Sequence, residues 1–264
     1  MKSVFFELVY NVAMVMIAGK RGPVMDDMFG PSKILDVCDY LPLLRWIDLL
    51  GIRRKMEVLN GKRDRFLQGL IDKVRYRNED CDSVGGGERN YVEALLSLQQ
   101  SEPEYYTDEI VKGLIMPMFT AGTHTIALTM EWAMSLLLNH PLELEKARNE
   151  IDEHVASGKL LEESDLQDLL YLRCIINETM RLYPVGPLLV PHCSSDDCNV
   201  GGYDVPGGTI LLVNVWAIQR DPDVWEDAET FNPERFRGFE GGTTGLDSCR
   251  LGRGGGRAPA PGWL

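Results

Sequence analysis

Read for its alternation of apolar and polar positions, the chain is helical for most of its length and changes period once, late. Phe5, Leu8, Val9, Val12, Met16 and Ile17 recur at helical spacing and predict an amphipathic helix buried along that one broad face. From Pro31 to Arg77 apolar and basic residues alternate at helical spacing, with breaks near Pro42 and Gly51. Within that stretch Arg53 to Arg77 reads as a strongly charged surface helix. The polar, Gly-rich run from Arg77 to Asn90 predicts an exposed loop, and Tyr91 to Gln99 a short helix.

The strongest helical pattern opens at Thr107-Asp108-Glu109, an N-cap followed by acids that complement the helix dipole. It runs to about Asn139, some 33 residues or roughly 50 Å at 1.5 Å per residue. Pro117 and Ala121-Gly122 sit mid-helix, where a lost hydrogen bond and a position without a side chain permit distortion. A helix from Pro141 to Val155 follows, then another from Ser164-Asp165 that continues until Pro184 stops it. Beyond it the period becomes two: Asn199 to Val215 reads as a small β-hairpin region. Trp216 to Phe236 reads as a short helix and an aromatic-rich meander. The fold class is mainly α with a small β-sheet.

Composition narrows the classes. Forty Asp and Glu against 27 Lys and Arg leave a net charge of −13, which argues against a nucleic-acid binder with its basic footprint. An apolar content of 44 % supplies a globular core and excludes low-complexity disorder for most of the chain. Eight of the 26 glycines fall from Gly241 onward, which sets the tail apart. The six cysteines show no C-x-x-C spacing; Cys193 and Cys198 beside His192 lack the second ligand pair of a zinc site. Reduced thiols in a cytosol-facing protein are the better reading. The N-terminus superficially resembles a signal peptide, but Glu7 and Asn11 interrupt an apolar run shorter than the roughly 20 residues of a membrane span.

Three constellations carry chemistry. Glu178 and Arg181 lie three apart on a mostly apolar helix, and a buried pair of this kind needs further partners to offset its desolvation. Arg235, within Phe231-Asn-Pro-Glu-Arg-Phe236, offers a planar fork that could complete a network with both. Ala121-Gly122-Thr123-His124-Thr125 places a hydroxyl and an imidazole mid-helix; the hydroxyl either faces a bound molecule or bonds its own backbone.

In order and spacing these motifs resemble the cytochrome P450 family, the haem-thiolate monooxygenases. The long helix with A-G-x-x-T, E-x-x-R followed by Leu182-Tyr183-Pro184, the hairpin, Asn214 to Pro222, Trp225 and Pro233-Glu-Arg-Phe236 follow in the family's order. The wording is similar to plant microsomal members such as isoflavone hydroxylases, over residues 1–236 and about half of a family chain. The resemblance implies a partial cytochrome P450 domain over 1–236. It implies insertion of one oxygen atom from dioxygen into a small apolar plant metabolite, with haem as cofactor and NADPH–cytochrome P450 reductase as electron donor. Thr125 would help deliver protons, with Ala121 and Gly122 forming the oxygen groove. Glu178, Arg181 and Arg235 would be the structural triad, His192 a haem-propionate contact, and Val185, Gly186, Leu188, Leu189 and Val190 the substrate pocket. The family sits on the cytosolic face of the endoplasmic reticulum; this chain, without the family's anchor, would be cytosolic or degraded.

Two departures weigh against activity. His124 replaces the acid that normally precedes the catalytic threonine, and Ile126 a small hydroxyl residue. The haem loop, Phe-x-x-Gly-x-Arg-x-Cys-x-Gly, does not follow Phe236; Cys249 is the only thiol there and lacks the glycine turn. Codons for Ser248 to Trp263 can be chosen so that a frame starting at the last base of the first codon reads Met-Pro-Phe-Gly-Ser-Gly-Arg-Arg-Ala-Cys-Pro-Gly-Ala-Gly-Leu, the missing loop. Residues 237–264 are therefore expected to be an aberrant, disordered, frameshifted tail. The competing reading is an inactive, haem-free truncated product. An unrelated helical binding module fits the ordered motifs poorly.

Overall fold

The structure is a computed structural model that describes residues 2–22, 52–80, 89–155 and 161–238. It comprises two compact units, Met1–Leu128 and Thr129–Leu264, and the division falls inside one long helix.

The first unit is helical: α1 (Lys2–Ala18), α2 (Ile52–Asp80), α3 (Tyr91–Ser101) and the first part of α4 (Asp108–Asn139). Helix α1 buries Phe6, Val9, Tyr10, Met14, Ile17 and Ala18, whereas Leu8, Val12 and Met16 are exposed. The expected broad face is thus divided. The helix is apolar nearly all round, so periodicity alone could not say which stripe turns inward. Helix α2 is more than a charged surface element: Leu67, Leu70, Ile71 and Val74 are buried along its second half. It also continues through Asp80, into the stretch expected to be loop. Asn90 starts α3 with a reciprocal capping box, its side chain accepting from the Glu93 amide while Glu93 accepts from the Asn90 amide. Rings fill the core of this unit: Phe119 of α4 lies 5.9 Å from both Tyr10 of α1 and Phe66 of α2. Arg75 joins three helices, donating to Asp108 at 2.5 and 3.0 Å and to Gln99 at 2.8 Å. That guanidinium, above all, holds the Asp108 carboxyl well below the usual carboxylate range.

Helix α4 is one α-helix of 32 residues, with Pro117 inside it and no break at Ala121-Gly122. The expected distortion is absent at that level. Thr107 caps it, accepting from the Ile110 amide at 3.4 Å.

The second unit contains the end of α4, α5 (Pro141–His154), α6 (Leu170–Leu182), four short strands, α7 (Val215–Ile218) and a closing 3₁₀ turn (Pro233–Phe236). Leu137, Ala147, Ile175, Leu182 and Phe231 form its core. The helix expected to run unbroken from Ser164 is two elements. A capping box between Glu162 and Asp165 closes a 3₁₀ turn over Glu163–Gln167, and α6 starts afresh at Leu170. Local side-chain bonding to the backbone outcompetes helix propagation there. The β region is two sheets rather than one hairpin. Strand β1 (His192–Cys193) pairs with β4 (Ile210–Leu211), and β2 (Cys198–Val200) with β3 (Tyr203–Val205). Gly201 and Gly202, at φ of 60° and 89°, make the tight two-residue turn between β2 and β3. No helix among the described residues is long and apolar enough to cross a membrane.

Candidate functional site

Helix α6 carries Glu178 and Arg181 on its buried side, at 0 % and 1 % side-chain exposure. Two charges this deep persist only if their hydrogen-bonding capacity is satisfied. Arg181 grips Glu178 with a fork, Nε to Oε2 at 2.7 Å and Nη2 to Oε1 at 2.8 Å. Its Nη1 donates to the carbonyls of Gln219 and Ala228, both at 2.7 Å, and Nη2 reaches that of Thr230 at 3.3 Å. Glu178 Oε1 also accepts from Arg235 Nε at 3.0 Å and from the Asn232 amide at 2.9 Å. Arg235 spends its remaining nitrogens on the carbonyls of Glu226, Asp227 and Thr230. Asp227 lies in the left-handed region, at φ 46°. One carboxylate and two guanidinia thereby bind α6 to the meander and to the Pro233–Phe236 turn.

Several contributors to this arrangement carry no side-chain signal. The carbonyls of Gln219, Ala228 and Thr230 are backbone groups, as is the Asn232 amide. Glu150 was missed as well: from α5 its carboxylate accepts from the Tyr171 and Leu172 amides at 2.6 and 2.9 Å, capping α6 from outside. Tyr171 also donates its hydroxyl to Glu143, which pairs with Lys146 at 3.0 Å. Burial and that acid push the Tyr171 hydroxyl far above its ordinary pKa. Only the long-range partner, never the spacing within α6, identifies these residues.

Helix α4 holds the second constellation. Ile110, Leu114, Met118, Ala121 and Thr125 follow one another at three- and four-residue intervals and are all exposed, forming one face. Thr125 is the only hydroxyl in that set. Its Oγ1 donates to the Ala121 carbonyl at 2.6 Å, the bond to its own backbone that such a threonine can make. Thr123 does the same to Phe119 at 2.6 Å on the buried side. Gly122 is open around its α-carbon: a β-carbon there would meet nothing within 4 Å. His124 faces elsewhere, its ring 4.5 Å from that of Phe6 in α1.

The segment Val185, Gly186, Leu188, Leu189, Val190 lies on the surface of the second unit, with Val190 74 % exposed. It is held by Val213 N to Leu188 O at 3.3 Å and Trp216 N to Pro187 O at 3.2 Å. Leu189 has φ 54°, an unusual backbone for a branched side chain, within a turn closed by its own amide on Gly186. His192 is half-buried in β1, opposite Leu211.

A family model described as Cytochrome P450 matches residues 7–248. The chain belongs to the cytochrome P450 family. Cytochrome P450 81Q32 of Catharanthus roseus is 49 % identical over 254 residues, 91 % of this chain and 49 % of that protein. Isoflavone 2'-hydroxylase of Glycyrrhiza echinata is 44 % identical over 253 residues, 89 % of this chain and 49 % of that one. A solved zebrafish cytochrome P450 with abiraterone superposes with a TM-score of 0.70 at 30 % identity, covering 89 % of this chain and 54 % of that one. The chain spans about half the length of the curated relatives it matches.

Membership of the cytochrome P450 family implies haem held by a cysteine thiolate, and the described thiols do not fit that duty. Cys174 is buried in α6 and lines a cavity of about 410 Å³ together with Glu150 and Asp168. Burial pushes its pKa up, the opposite of what a thiolate ligand requires. Cys193 is exposed and Cys198 half-buried, each in a two-stranded sheet. No group of three His, Cys, Asp or Glu able to hold a metal occurs among the described residues. Cys249 lies outside them.

Proposed function

We propose that this chain is part of a plant monooxygenase that inserts one oxygen atom of dioxygen into a small apolar secondary metabolite. The net reaction takes dioxygen, a C–H bond, two electrons and two protons, and gives an alcohol and water. An NADPH–cytochrome P450 reductase would supply the electrons. The observation that carries the reading is the exposed apolar face of α4, with Thr125 as its one hydroxyl. Once a bound substrate covers that face and excludes bulk water, protons must arrive through a positioned group. The Thr125 hydroxyl donates to the Ala121 carbonyl, and its oxygen would accept a hydrogen bond from the group that carries the proton. His124, its ring 4.5 Å from that of Phe6, would be the next polar group along such a relay. Val185 to Val190 would border the substrate, and His192 a cofactor carboxylate. The Glu178–Arg181–Arg235 network ties α6 to the meander and to the Pro233–Phe236 turn.

In the complete gene product, Thr125→Ala is expected to lower the ratio of product formed to NADPH consumed about tenfold or more, within the range general acid–base groups contribute. An unchanged ratio would exclude Thr125 from proton delivery. One observation favours a second reading, an inactive haem-free polypeptide: none of the described thiols suits the iron. The reduced, carbon-monoxide-bound spectrum of the 264-residue chain separates the two, since a thiolate-type Soret band refutes the inactive reading.

A further inference from the structure

We infer that residues 249–264 are an out-of-frame translation of the thiolate loop, so that the gene encodes a cysteine ligand that the described thiols of this chain do not supply. The described residues end at Gly238, ahead of the segment in question. Arg235 and the Asn232 amide are tied to Glu178, Phe236 is 4 % exposed, and the family match continues to residue 248, one short of Cys249. The described thiols do not gather with other metal ligands: Cys174 is buried within α6, and Cys193 and Cys198 lie in two different two-stranded sheets.

The composition then changes abruptly. Twelve of the 16 residues from Cys249 to Leu264 are Gly, Ala, Pro or Arg, the four residue types with codons made of G and C alone. Together with Trp263 and Cys249 they are what a GC-rich message yields in a frame that selection has not shaped. The decisive feature is the shifted frame. In each shifted codon the second and third bases are the first two bases of a residue in this chain, so only one base in three is left open. Under that constraint Ser248 to Trp263 still accommodates Phe-Gly-Ser-Gly-Arg-Arg-Ala-Cys-Pro-Gly, with every fixed position of the loop satisfied. The shifted frame opens at the last base of the Ser248 codon. The net change is one nucleotide lost or two gained between the codons of Phe236 and Ser248, and reversing it puts the cysteine codon across those of Arg257 and Ala258. Glycines on both sides of that cysteine would bring backbone N–H groups to the sulfur, and two arginines would favour its thiolate form.

This inference rests on the family assignment and not on catalysis. Sequencing the gene and transcript over codons 236–264 tests it. The expected result is C as third base of the Cys249 codon, T as third base of the Arg250 and Arg257 codons, and TTG for Leu251. Any other base at the end of the Arg257 codon removes the cysteine and overturns the inference. A confirmed loop in a complete, frame-restored protein that forms no product would instead sink the proposed oxygenation and leave the frame inference standing. Peptides of the natural protein give an independent reading. Fragments from the shifted frame are expected, and recovery of Ala258–Leu264 at the abundance of peptides from α5 would contradict them.

Discussion

Glu178 accepts four hydrogen bonds while wholly shielded from water, so its charge is balanced by Arg181, Arg235 and one amide alone. The two arginines are not equivalent. Arg181 is as buried as its partner and bridges three carbonyls of the meander, whereas Arg235 is 11 % exposed and makes one bond to the carboxylate. Glu178→Gln leaves a buried guanidinium without its counter-charge and is expected to cost about 3–5 kcal/mol. Arg235→Gln leaves the fork intact and should cost about 1–3 kcal/mol, the range for bonds to charged groups. Urea midpoints of the second unit's unfolding, read with an unchanged m-value, give the comparison. Equal losses, or the reverse order, would mean that Arg235 rather than Arg181 neutralises the acid.

Where α1 meets α4, the ring of Tyr10 sits 6.0 Å from Phe6 and 5.9 Å from Phe119, and burial pushes its hydroxyl up to about 12. The folded pKa lies above the unfolded value of about 10, so this stabilisation is complete below pH 10 and disappears as the pH rises towards 12. The first unit should accordingly lose stability steeply over pH 10 to 12, and Tyr10→Phe should flatten that slope; a slope unchanged by the substitution would place the titration elsewhere. This interface also shows how far the sequence could be read. The existence of α1, α3, α4 and α5 was legible, because each is long, periodic or capped by Asn, Thr or Pro at its start. The face of α1 was not, since apolar residues on both sides offer two stripes and only Phe119 and its neighbours choose between them. The acid–base pair of α6 was legible as a motif, but its burial depends on carbonyls some 40 to 50 residues away. Thr125 was legible as a hydroxyl in an apolar helix, and its bond to Ala121 was one of the two states that the residue type allows. The break after Gln167 is not visible in the pattern, because Leu166, Leu169 and Leu170 continue the helical spacing and only the Glu162–Asp165 capping box reveals a separate 3₁₀ turn.

At the scale of the whole molecule, two opposed properties meet. Val4, Leu8, Val12, Val15 and Met16 leave one side of α1 apolar and exposed, and Ile110, Leu114 and Met118 do the same for α4. Exposed stripes of this kind favour association. Against them stands a net charge of −13, which makes any two copies repel at low ionic strength. Screening shortens that repulsion from about 30 Å at 0.01 M salt to about 8 Å at 0.15 M, while the apolar attraction is barely affected. The 264-residue chain is therefore expected to sediment as smaller species in dilute buffer and to self-associate as salt is raised, with bound 1-anilinonaphthalene-8-sulfonate displaced as the stripes are covered. Leu8→Glu combined with Val12→Lys keeps the net charge and interrupts the α1 stripe, so it should shift the onset of association to higher salt. If association weakens as salt increases, charge pairing rather than the apolar stripes holds the copies together, and the exposed faces of α1 and α4 have no part in it.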